Sequence, residues 1–262
     1  MPPARALLVA ASLAGVGWLV RALFVGPPSL PWALGALAAY LAFVAVGVLA
    51  SGLSMFADVV TRGPADARGV ALTFDGGPEP STTALLLDAL DAAGAKATFF
   101  LCGPSVEQHP ELARKIVSRG HLLGLCAVSG DRARVLYRAR RMRNELERAR
   151  AAVERATGVR VTLFRTARGH LTPAMAGVVR DLELVVVGWS AGGLEPRPFA
   201  TAGTLEREVV RRLVDGAIVR LPHARTPTGT VPASIDALPA ILAAMARLQL
   251  RSARLDEWLA ES

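Results

Sequence analysis

Hydrophobic and polar positions divide the chain into two unlike parts. Residues 6–20 carry no charge and lie between Arg5 and Arg21, and residues 22–57 carry none either. Trp32 to Phe56 is a run of 25 apolar or small residues. A bilayer core takes about 20 helical residues. The second run is therefore long enough to span a membrane, and so is the first if it extends to Phe24. Pro27, Pro28 and Pro31 suit a turn between them. The expectation is an anchor over residues 1–60, a transmembrane helical hairpin with helices about 6–24 and 32–56. A buried core helix competes with this reading, as does a cleaved signal peptide for the first run. Against the latter, no small-residue cleavage site precedes a polar sequence; a second apolar run follows instead.

Thr61 to Gly69 is polar and reads as a linker. Beyond it, short apolar runs alternate with amphipathic stretches. Strands are expected at 70–75, 97–102, 121–126, 161–165, 184–188, 217–221 and 252–255. Helices are expected near 81–93, 107–118, 133–157, 173–181, 204–214 and 234–248, with Ser81 as an N-cap. Such alternation argues for an α/β domain over 70–262 with a parallel sheet, open or closed into a barrel. Periodicity does not choose between the two.

Charge adds little to this picture. The net charge is +8, carried almost entirely by arginine, since Lys96 and Lys115 are the only lysines. Nine arginines fall between Arg132 and Arg155, where Met142, Leu146, Ala149, Val153 and Ala156 keep helical spacing. This reads as a helix with one packed stripe and a solvated arginine-rich face. Only Tyr137 interleaves with the arginines, so no nucleic-acid partner is expected. Two cysteines, Cys102 and Cys126, exclude both a disulfide-rich scaffold and a cysteine-rich zinc site.

The stretch Val70-Ala71-Leu72-Thr73-Phe74-Asp75-Gly76-Gly77-Pro78 is a buried-strand pattern ending in a carboxylate and a forced turn. Such a carboxylate is well placed for catalysis, although a helix N-cap or a solvated turn is the plainer reading. The stretch resembles the TFDDGP motif of the polysaccharide deacetylases, the NodB-homology domain or carbohydrate esterase family four. Ala97-Thr98-Phe99-Phe100 is similar to the family's second strand. Gly120-His121 through Gly130 resembles its GHEIGNHTxxH metal motif, Phe164 to Gly169 its FRPPYG motif, and Leu221-Pro222-His223 its L-x-H motif.

The resemblance implies a distorted (β/α) barrel with its site at the C-terminal strand ends. It implies Asp75 as catalytic base, Arg165 as the residue orienting it, and His223 as general acid. Leu221, Trp189 and Arg168 would contact substrate. The family's metal-ligand positions hold Gly76, Cys126 and Gly130, so no metal is expected. Zinc or another divalent ion in a site rebuilt from Cys126, Asp75 and His223 is the alternative. Gly192 stands where the family has the carboxylate that tethers the acid histidine, and Glu195 would have to substitute for a second one. Cys102 and Cys126 would end neighbouring strands, within reach of a disulfide if the domain lies outside the cytoplasm.

Three functions follow from the resemblance. The first is a membrane-anchored, metal-free homologue of the cell envelope that binds glycan with little or no turnover. The second is a divergent hydrolase of acetamido bonds in a polymer such as peptidoglycan or a chitin-like glycan. The third is a structural membrane partner. The implied partners are the lipid bilayer and an envelope glycan, and the implied place is the bacterial inner membrane with the domain outside. Arg21 at the turn favours that orientation; Arg5, Arg62 and Arg68 oppose it.

Overall fold

The apolar runs beyond residue 69 become parallel strands covered on both faces. A computed structural model describes residues 1–126, 139–166, 169–192, 201–224 and 231–259. Its strands are β1 (Val59–Val60), β2 (Val70–Asp75), β3 (Ala97–Leu101), β4 (Leu122–Cys126), β5 (Leu163–Arg165), β6 (Val185–Val187), β7 (Ala191–Gly192) and β8 (Ala217–Pro222). They form one eight-stranded sheet in the order β1-β6-β5-β4-β3-β2-β8-β7, with every neighbouring pair parallel. Strands buried on both sides need apolar residues at odd and even positions alike, and this produces their continuous runs.

The sheet curls into a half-barrel. Its outer face carries Val70, Leu72, Phe74, Phe99, Leu101, Leu125, Val219 and Leu221, which join the main core beneath the helices. These helices include α3 (Pro80–Ala92), α5 (Pro110–Ser118), α6 (Ala139–Thr157), α7 (Pro173–Asp181), α8 (Ala202–Val210) and α9 (Ala233–Arg247). The inner face carries Ala71, Phe100, Leu163, Val187 and Ile218. These pack with Leu255 and Trp258 of α10 (Leu255–Leu259).

Ahead of the sheet, α1 (Pro3–Val25) and α2 (Leu30–Leu49) are largely apolar, with Arg5 and Arg21 the charged residues of α1. No residue of α1 is buried, and Gly47 alone is buried in α2. At 1.5 Å per residue they measure about 34 and 30 Å, close to the thickness of a bilayer's hydrocarbon core.

Several local expectations are corrected. The second apolar helix stops at Leu49 rather than 56, because the chain makes a 3-10 turn at Ser51–Leu53 and enters the sheet at Val59. The supposed linker over 61–69 belongs to the barrel. Arg62 bridges to Ala217, Gly63 N–H donates to the Gly216 carbonyl at 2.8 Å, and Gly69 N–H donates to Asp215 at 2.6 Å. Ser81 is not the cap of α3: Pro80 takes the first helical position, and the Thr83 hydroxyl accepts from Glu79 N–H. The helix expected at 107–118 breaks at His109, giving α4 (Gly103–Gln108) and α5, since Pro110 cannot continue the first helix. The expected strand 252–255 reduces to one bridge between Ser252 and Val70 before α10 begins. The beginning of the helix expected at 133–157 lies outside the described residues, as do residues 127–138 generally.

Cys102 and Cys126 follow and end neighbouring strands β3 and β4 and are bonded to each other, with Cα atoms 5.2 Å apart. Linking residues 24 apart removes freedom from the unfolded chain worth about 3 kcal/mol. Cys102→Ser should therefore lower the unfolding free energy in denaturant titrations by about 3 kcal/mol. Wild-type protein unfolded without reductant should show no reactive thiol.

Candidate active site

Strand parity decides which side chains meet. Along β2, Ala71, Thr73 and Asp75 point to the inner face and alternate with Val70, Leu72 and Phe74. Asp75 ends the strand there with its side chain 14% exposed. Arg165 reaches it from β5, Nη1 to Oδ1 at 2.8 Å, and Arg220 reaches it from β8, Nε to Oδ2 at 2.6 Å. Each carboxylate oxygen thus accepts a charge-assisted hydrogen bond from its own guanidinium.

Arg165 is 1% exposed and fully partnered for that reason. Nε donates to the Val187 carbonyl at 3.2 Å, Nη2 to the Gly188 carbonyl at 2.9 Å, and Nη1 also to the Thr73 hydroxyl at 2.5 Å. Its guanidinium lies 4.1 Å from the Phe100 ring centre. Burial lowers its pKa and Asp75 opposes the shift; a guanidinium stays protonated under these conditions. Trp189 is half-buried beside both arginines, its ring 4.6 Å from the Arg220 guanidinium and 5.8 Å from that of Arg165.

Arg220 was not legible as a site residue from motif matching. The available signal was alternation: in Ala217-Ile218-Val219-Arg220-Leu221-Pro222, the charged residue shares the inner parity of Ile218. The same alternation describes the L-x-H residues. Leu221 is completely buried in the outer core. His223 follows it to the outer side. Its Nε2 lies 2.9 Å from the Thr83 hydroxyl of α3, and its ring packs edge-on to Phe99 at 5.5 Å. No part of His223 is exposed, and its backbone N–H donates to the Asp75 carbonyl at 2.8 Å. The β8 residue paired with Asp75 is the exposed Pro222.

The residues at the family's metal positions do not fit a metal. Gly76 has φ +95°, and a Cβ built there would lie 2.9 Å from that of Ala224. The sulfur of Cys126 is used in the disulfide, which removes the thiolate on which a rebuilt site depended. Gly130 lies outside the described residues and in any case has no side chain. Among the described residues no three His, Cys, Asp or Glu side chains gather as a ligand set. Gly192 pairs with Arg220, and a Cβ there would fall 2.1 Å from the Arg220 carbonyl oxygen, so no tethering carboxylate fits at that position. Glu195 and Arg168 lie outside the described residues. The arginine-rich helix α6 spends several of its charges on ion pairs, with Arg148 binding Glu107 at 2.8 Å and Arg143 binding Asp181.

Two predictions follow from the buried charges. Asp75→Ala would leave two guanidiniums facing each other and should destabilise the fold by about 3–5 kcal/mol. Arg220→Met should cost less, because Arg165 still neutralises the carboxylate; denaturant titration would rank the two. His121 and His223 are both held near pKa 4, chiefly by burial. In the unfolded chain each would protonate near its ordinary value of about 6.5. Between those values the unfolded state binds more protons, so stability falls as pH falls from 7 toward 4. The loss should approach about 3 kcal/mol per histidine, and His121→Gln should remove roughly half of it in denaturation series at successive pH values.

Comparison with known proteins agrees with this architecture. The polysaccharide deacetylase family model matches residues 62–187. A peptidoglycan-N-acetylglucosamine deacetylase of Bacillus cereus is 28% identical over 180 residues, covering 69% of this chain and 64% of that protein. The enzyme PgdA of Listeria monocytogenes, with the same description, is 32% identical over 170 residues, covering 64% of this chain and 34% of that protein. The chain therefore spans less than two thirds of the length of these relatives. A crystal structure of a peptidoglycan N-acetylglucosamine deacetylase superposes with a TM-score of 0.69 at 26% identity, covering 76% of this chain and 91% of that one. With the motif order, the parallel half-barrel and these likenesses in agreement, residues 62–187 form a polysaccharide deacetylase domain of the NodB-homology, carbohydrate esterase family four kind.

Proposed function

We propose that this protein is a membrane-anchored polysaccharide deacetylase homologue of the cell envelope that binds glycan without metal-dependent hydrolysis. One observation carries the reading: Asp75 is clamped through both oxygens by Arg165 and Arg220, beside positions that offer no metal ligands. In a metal-assisted hydrolase the ion lowers the pKa of its water and stabilises the developing oxyanion. The ligand positions here supply neither effect. Both Asp75 oxygens already accept hydrogen bonds from guanidiniums. His223 is fully buried against the Thr83 hydroxyl, and this reading gives it no proton-transfer role.

What the cleft retains suits binding. Trp189 supplies an aromatic wall, and the relatives named above act on N-acetylglucosamine in peptidoglycan. We assign the saccharide to that class. Residues 1–49 would serve as the anchor, two spans that return the chain to its starting side, with the turn at residues 26–29 on the cytoplasmic side and the barrel outside. Arg168 and Trp189 are the assigned saccharide contacts.

Full-length protein purified in detergent should contain substoichiometric zinc after dialysis and release no acetate from N-acetylated peptidoglycan. It should nevertheless bind N-acetylglucosamine oligosaccharides in calorimetry, and Trp189→Ala should weaken that binding at least about tenfold, the loss expected for a buried aromatic contact. Equimolar zinc, with acetate release abolished by a chelator, would overturn the reading in favour of the hydrolase.

A further inference from the structure

The apolar hairpin does not hang from the barrel on a tether; it is docked on the loops that carry the site. The Val48 carbonyl, in the last turn of α2, accepts from Leu171 N–H at 3.0 Å. Leu171 lies in the loop that leaves the C-terminal end of β5 just after Arg165. Ser51 follows α2 directly and touches the same loop. A Cβ on Gly169 would lie 3.5 Å from the Ser51 hydroxyl oxygen and 3.1 Å from the Trp189 ring. The Trp189 ring in turn covers Arg220, which holds Asp75. The path from the end of the membrane helix to Asp75 thus runs through two layers of side chains.

Other contacts fix the joint. Met55 is 2% exposed and packs on Gly47 of α2, so closely that a Cβ at Gly47 would lie 2.1 Å from the Met55 sulfur. Arg5, at the start of α1, donates to Asp58 at 2.9 Å and to the Ser54 carbonyl at 3.2 Å. Residues 61–69, the only remaining candidate for slack, are held in the barrel by Arg62, Gly63 and Gly69. The end of α2 is therefore tied to the loop after β5, and the start of α1 to the segment that enters β1.

We infer that the cleft is held at the membrane surface and takes a saccharide carried on a lipid of the same bilayer, rather than strands of polymer lying away from it. This rests on the glycan-binding, membrane-anchored reading above. A docked domain samples only the shallow layer its joint allows, whereas a tethered one would sweep a volume set by its linker. A lipid-linked saccharide presents its sugar in that layer and is concentrated there by sharing the membrane.

The test uses the full chain in phosphatidylcholine nanodiscs. The probes are an N-acetylglucosamine disaccharide joined to a dialkylglycerol by a short spacer, the same disaccharide on a spacer of about 100 Å, far beyond the reach of a docked domain, and the free disaccharide. The short-spacer lipid should bind at least about tenfold more tightly than the long-spacer lipid, the scale of an effective-concentration difference. Inserting a Gly/Ser segment of about 20 residues after Ala50, with a mean span of roughly 25 Å, should abolish that preference while leaving affinity for the free disaccharide unchanged. Equal affinity for both spacers in the wild type would overturn the inference and leave glycan binding intact. That arm needs no variant and survives a failure of the insertion to fold. Binding to none of the three probes would overturn the glycan reading itself, and this inference with it.

Discussion

A carboxylate withdrawn from water must find its charge matched, and the inner face of this barrel is arranged around that requirement. Asp75 cannot sit 14% exposed at the end of a buried strand unless cations meet it. The two that do come from opposite sides, Arg165 from β5 and Arg220 from β8. Arg165 additionally holds the carbonyls of Val187 and Gly188, where the chain leaves β6, and the hydroxyl of Thr73 on β2. A single guanidinium therefore joins three strands across the hollow of the half-barrel. Among the described residues, the charge of Asp75 is met by side chains of the chain itself.

Much of the architecture was legible in the sequence, because parallel strands buried on both faces leave unbroken apolar runs. Val70–Asp75, Ala97–Leu101 and Leu122–Cys126 fall within a residue or so of their expected ends for that reason. β1 and β7 were not legible. Each is two residues long, and neither Val59–Val60 nor Ala191–Gly192 has a length over which a period can be recognised. The polar stretch 61–69 looked like a linker because its order comes from backbone partners at Gly216 and Ala217, which are distant in sequence and leave no local pattern.

The site was half legible. Asp75 and Arg165 stand at strand ends whose parity was unambiguous, and they meet. His223 lies just past the end of β8, its backbone N–H donating to the Asp75 carbonyl at 2.8 Å and its ring buried. That position suits a neutral histidine, between Phe99 and the Thr83 hydroxyl. The neighbouring glycine accommodates it: a Cβ on Gly77 would lie 2.6 Å from the imidazole. The Gly-Gly pair thus does more than allow a turn. Gly77 makes room for the ring, and Gly76 lies against Ala224 with a backbone that disfavours any side chain.

The Cys102–Cys126 bond has a consequence for when this protein becomes whole. Its sulfurs close the rim between β3 and β4, and a structural crosslink of this kind persists where the surroundings are oxidising. A chain still in a reducing cytosol would carry two thiols on the inner face of an unfinished wall. Closure of that rim is thereby coupled to the redox state of the surroundings in which the barrel finishes folding.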